Sequence, residues 1–187
     1  AGLGALAGAM GIVLMLAPWQ SVPGVHFDAR SVLLAVTGLL FGPLAAAVAM
    51  AACAALRLWQ GGEAAAAGIA VIAVSGLGGI AWRRWRARPA EEMRAPELFA
   101  FGLVIHAATL VALLALPQGA RERVAVAIAP TVLGIFPLAT MLLGMLLAKW
   151  VRAARTAEAL RLSEERLRLA LDASRQGSFD IDLVTGA

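Results

Sequence analysis

The sequence predicts an all-α polytopic membrane protein of about six transmembrane helices. Three observations carry this expectation. Of 187 residues, 61% are hydrophobic and 15% charged, and the mean hydropathy is +0.82. A soluble domain averages about half apolar and a quarter charged. The charges gather in short clusters between long uncharged runs, as loops between spans do. All five tryptophans (Trp19, Trp59, Trp82, Trp85 and Trp150) fall at the ends of those runs, where an interfacial belt places them. Sixteen basic and twelve acidic residues leave a net charge of +4. Their clustering argues against a nucleic-acid partner and makes the lipid bilayer the expected one.

A span needs roughly 20 apolar residues to cross a hydrocarbon core of ~30 Å. Ala1–Trp19 is long enough and carries Gly4-x-x-x-Gly8, a close-packing signature of membrane helices. Ser31–Trp59 reads either as one kinked span or as two short helices broken at Gly42-Pro43, of about 11 and about 16 residues. Helices that short are tolerated in a bilayer only when buried in protein or lining a cavity. Ala64–Trp82 is uncharged, and its Gly76-Leu-Gly-Gly79 run reads as packing glycines. Glu97–Leu116 carries only its first residue and His106 as ionisable groups. Val124–Ala148 is uncharged and interrupted by Pro130 and Pro137, which predicts a kinked last span.

Charge sets the expected orientation. Arg83, Arg84, Arg86, Arg88 and Arg94 crowd one loop, and Lys149, Arg152 and Arg155 follow the last span. The positive-inside bias puts both on the cytoplasmic side. The loops Trp59–Glu63 and Pro117–Arg123 are then extracytoplasmic. In the broken-hairpin reading Trp19–Arg30 joins them, and both termini lie in the cytoplasm.

From Val151 the composition changes. Arg152–Asp172 is rich in Ala, Leu, Glu and Arg and free of Gly and Pro, so it predicts a strong helix. Leu160, Leu167 and Leu171 fit a short heptad seam, which points to a homodimer. Ser178–Val184 then alternates as a half-buried strand does, and one strand cannot fold alone.

No metal-ligand spacing, nucleophile elbow, phosphate loop or catalytic carboxylate pair is present in the sequence, so neither catalysis nor a cofactor is expected of it. The single cysteine, Cys53, excludes an internal disulfide and a cysteine metal cage. What remains are ionisable groups in or beside spans, each costly there and a functional candidate by default. In the hairpin reading Arg30 and Arg57 reach the same face of the membrane, where two guanidiniums suit a small carboxylate. Gly61 and Gly62 would let backbone amides approach that anion, and the next helix, with Glu63 at its start, would add its dipole. Asp28 reads as a surface partner of Arg30. His106, at mid-membrane, reads as an interhelical hydrogen bond or as a ligand contact.

The stretch Pro23-Gly-Val-His-Phe-Asp-Ala-Arg-Ser31, then Gly38-Leu-Leu-Phe-Gly-Pro43, then Arg57-Leu-Trp-Gln-Gly-Gly62, resembles the LytS-type five-transmembrane receptor domain over roughly residues 1–155. The resemblance implies an input domain of sensor histidine kinases or diguanylate cyclases in the bacterial inner membrane. It also implies a small carboxylate such as pyruvate held by Arg30 and Arg57. That family's later Cys and Ser of the site fall on Gly68 and Val71, which leaves another small anion open. The arrangement is also similar to the substrate-binding subunits of energy-coupling-factor transporters, so a transporter subunit is the alternative reading. Ser163-Glu-Glu-Arg-Leu-Arg-Leu-Ala-Leu-Asp-Ala-Ser174 followed by Gly177-Ser-Phe-Asp-Ile-Asp182 is similar to the start of a PAS domain. The expected organisation is therefore a transmembrane sensor domain over 1–151, a cytoplasmic signalling helix over 152–175, and the first PAS strand within 176–187.

Overall fold

The computed structural model describes residues 2–16, 19–22, 25–62, 65–86, 88–112 and 128–174. The chain divides into two units, Ala1–Lys149 and a second that begins at Trp150. It is an all-α polytopic membrane protein. Helix α1 (Gly2–Leu16) is followed by a two-stranded antiparallel ribbon, β1 (Trp19–Val22) and β2 (Val25–Phe27). Then come α2 (Arg30–Phe41), α3 (Pro43–Gln60), α4 (Ala65–Trp85), a 3₁₀ turn at Ala90–Glu92, and α5 (Ala95–Ala112). The last helix, α6, starts at Ile128, widens into a π turn at Thr131–Ile135, and continues over Phe136–Ser174. Helices α3, α4, α5 and α6 are long and apolar enough to cross a membrane, whereas α1 and α2 are shorter apolar helices. The loop Pro117–Arg123 and the strand expected at Ser178–Val184 lie outside the described residues.

The single-span reading of Ser31–Trp59 is incorrect, and the broken hairpin is what forms. Gly42 adopts φ 84°, which an L-side chain rarely takes. Pro43 follows as the first residue of α3, where its missing N–H costs nothing. The break leaves Leu39's carbonyl without the amide that a continuous helix would supply from position 43. Arg83 of α4 replaces it: its Nη1 donates to Leu39 O at 3.0 Å and to Leu40 O at 2.7 Å. An arginine in the last turn of α4 thus closes the end of α2.

Helix α2 is the centre of the bundle, buried continuously from Ser31 to Leu40. One apolar cluster joins its Ala35, Val36, Leu39 and Leu40 to Leu98, Phe101 and Ile105 of α5 and Ala148 of α6. A second joins its Leu34 to Ala7 and Met15 of α1, Ala49 and Cys53 of α3, and Ile72 of α4. Close helix approach depends on glycines. A Cβ on Gly4 would come within 2.7 Å of Ala45 O, and one on Gly38 within 2.6 Å of Gly76 O. Small residues let membrane helices gain van der Waals contact where no hydrophobic force drives them together. Large apolar side chains point outward instead, among them Leu6, Met10 and Val13 of α1 and Ile135, Leu142 and Leu146 of α6. They suit contact with acyl chains.

The π turn has a local cause. Pro137 has no N–H for the carbonyl four residues back, and its ring crowds that carbonyl. The backbone widens instead, and the N–H of Phe136 reaches the carbonyl of Thr131.

Candidate functional site

The first turn of α2 presents a charged pair. Asp28 precedes the helix and accepts twice from Arg30. Its Oδ1 takes the Arg30 backbone N–H at 3.0 Å and its Oδ2 takes Nη1 at 2.8 Å. The first contact satisfies one of the orphan donors at the helix start. The side chains are only 13% (Arg30) and 7% (Asp28) exposed, so the pair is more shielded than the surface pair expected from sequence. Arg30 Nε is buried without a hydrogen-bond partner among the described residues.

Arg57 lies in the last turn of α3, where a cation favours the helix dipole. Its Nη1 donates to Gly61 O at 3.2 Å and, more weakly, to Gln60 Oε1 at 3.5 Å. The stem folds across Gly68 of α4, where a Cβ would come within 2.6 Å of Nε. The hairpin brings the two arginines to one end of the bundle. Arg57 and Cys53, one helical turn apart on α3, are both within electrostatic reach of Arg30 and Asp28. Among the described residues, two guanidiniums and one carboxylate leave the group one net positive charge.

The other candidates separate from this group in different ways. Gly61 (φ 61°) ends α3, and its N–H donates back to Arg57 O and Leu58 O, both at 3.2 Å. That amide therefore closes the helix and does not face outward as a donor. Gly62 (φ 85°) accepts from the Ala65 N–H at 3.0 Å and so starts α4. Glu63 lies outside the described residues. His106 is fully buried on α5. Its Nδ1 is 2.7 Å from Gly102 O, and because a carbonyl only accepts, Nδ1 carries the proton. In the neutral ring Nε2 then accepts from the Ser31 hydroxyl at 3.4 Å. His106 thus reaches the residue next to Arg30.

Sequence reasoning missed Ser31 and Cys53 as neighbours of the arginines, whereas Gly68 entered only through the family resemblance. Ser31 follows Arg30 directly, and Cys53 stands four residues before Arg57 on the same helix face, so both had a local signal. Gly68 had no local signal beyond that resemblance, because the packing of α4 on α3 brings it to Arg57. Among the described residues no group of three His, Cys, Asp or Glu side chains is placed to hold a metal ion.

Residues 1–150 match the family model described as 5TM-5TMR_LYT, 5TMR of 5TMR-LYT. No curated protein and no solved structure matches the chain.

Proposed function

The chain belongs to the 5TMR-LYT family, a membrane sensor domain of signal-transduction proteins that is not itself catalytic, and on that premise we propose that it detects a small extracytoplasmic monocarboxylate. The observation that carries this reading is the pair of arginines at one end of the bundle, of which Arg30 is ion-paired to Asp28. Asp28 already neutralises one guanidinium, so the remaining charge suits a monoanion better than a dianion. Arg30 Nε is a buried donor without a partner among the described residues, and charge-assisted bonds to a carboxylate are the strong ones. Gly68, where the resembling receptors carry a cysteine, gives the Arg57 stem its space.

Pyruvate is the probe for the test. In lipid nanodiscs it should raise the unfolding temperature of the wild-type protein, because a ligand of the native state stabilises that state. Arg57→Ala should weaken the apparent affinity by about 10- to 100-fold, the worth of one charge-assisted bond. An unchanged pyruvate response in Arg57→Ala would remove Arg57 from the site.

The arginine pair faces the extracytoplasmic side, and α6 relays occupancy to a cytoplasmic PAS domain and an output module, a histidine kinase or a diguanylate cyclase. The exposed Leu160 and Leu167 on α6 support a parallel homodimer along that helix. Single cysteines at positions 30, 57 and 160, with Cys53 replaced by Ala, check these statements together. The first two should react with an impermeant reagent from outside the cell. The third should crosslink two copies. Labelling of positions 30 and 57 from opposite sides, or failure of the crosslink, contradicts the corresponding statement.

A further inference from the structure

We infer that Ser31, His106 and Gly102 form a joint that couples the first turn of α2 to the π turn of α6, whether or not a ligand is bound. The joint begins at a buried polar crossing. The hydroxyls of Thr37, Thr109 and Thr140 bond back to carbonyls of their own helices, whereas that of Ser31 reaches across to His106 on α5. Both ring nitrogens of His106 are thereby engaged, one on each of two helices. In hydrocarbon an unpaired nitrogen finds no water, so the imidazole follows its partners.

The same turn of α5 meets α6 at two points. The His106 ring stands edge-on to Phe136, with centroids 5.3 Å apart and planes at 80°. Gly102, whose carbonyl takes the imidazole proton, lies against the turn that follows. A Cβ there would be 2.9 Å from Pro137 Cα and 3.0 Å from Thr140 Cβ. Phe136 is also the residue whose N–H closes the wide turn onto Thr131. One turn of α5 therefore holds Ser31 on one flank and, on the other, the only described segment with π geometry. Such segments mark places where a helix has a second arrangement of its hydrogen bonds close at hand. Ser31 follows Arg30, which Asp28 fixes. A shift of that first turn has a contiguous path of hydrogen bonds and packed backbone to α6. A double-mutant cycle measures the coupling along that path.

The cycle uses the full chain in nanodiscs and reads amide hydrogen exchange over 131–137. The four proteins are wild type, Ser31→Ala, His106→Phe, and the double variant. Phenylalanine keeps a ring against Phe136 but removes both nitrogens. Ser31→Ala should raise exchange over 131–137 by about threefold, in line with typical polar contacts between membrane helices. It should have no further effect in the His106→Phe background. Exchange over 70–80 of α4 serves as the control for general loosening and should stay unchanged in Ser31→Ala. The inference is overturned if Ser31→Ala leaves 131–137 unaltered, or if its effect persists undiminished beside His106→Phe. Should His106→Phe fail to fold, Ser31→Ala read against the α4 control still decides: no selective change over 131–137 overturns the inference.

Discussion

Replacing Arg30 with methionine is expected to lower stability by about 3–5 kcal/mol, the usual cost of leaving one member of a buried ion pair alone. Asp28 would keep its contact to the backbone N–H of position 30 but lose the guanidinium at 2.8 Å. The double replacement Asp28→Leu with Arg30→Met should recover most of that loss. An apolar pair of similar volume is often as stable as a buried salt bridge. Both variants should fail to respond to pyruvate, because each lacks the guanidinium. The comparison separates holding the fold from holding a ligand. Unfolding midpoints in nanodiscs, with and without pyruvate, provide the readout. A single variant as stable as the double one would mean that the pair is solvated.

Gly79→Leu is expected to prevent the native bundle from forming. A Cβ at 79 meets the carbonyl of Ala35 and lies 3.0 Å from Leu39 N and 3.1 Å from Ala35 C, all backbone atoms of α2. No rotamer relieves such a contact, so α4 would have to retreat from the central helix. Ordinary overpacking costs about 1–3 kcal/mol; moving a whole helix off its seam costs more. Gly134→Ala is the matched control. Nothing lies within 4 Å of its Cβ position, and alanine is the better helix former by ~1 kcal/mol. The first variant should yield no monodisperse folded protein on size exclusion, and the second should elute as wild type. A folded Gly79→Leu protein would show that the α2–α4 seam is looser than described.

The backbone break was legible in the sequence because its cause is local. Gly42 and Pro43 specify a turn through one permitted φ and one missing amide. From that break the common end of Arg30 and Arg57 followed by parity. Features that depend on distant partners were not legible. Burial of the Asp28–Arg30 pair is set by neighbours the local pattern does not name. The Ser31–His106 contact spans 75 positions, and the sequence could only say that a mid-membrane histidine wants some partner. The two prolines of α6 predicted a disturbed helix but not a π turn between them. The β1–β2 ribbon was missed because its strands are 4 and 3 residues long, although Pro23-Gly24 between two valines is a hairpin signal. Arg83 was read with its neighbours as an orientation charge, and its part in closing α2 was hidden in that crowd.

That closure sets an order of events on the ribosome. The two carbonyls clasped by Arg83 are synthesised 44 and 43 residues before it. Until α4 is made, the end of α2 lacks the side-chain donor that closes it in the folded bundle. Helix α2, with 12 residues, is ~18 Å long, short of the ~30 Å a lone span needs. A nascent chain that has made α2 and α3 but not Arg83 is therefore expected to carry a hairpin whose shorter arm is not yet closed. The second helix to be translated is completed only by the fourth, and translation paces the assembly of the bundle's own centre.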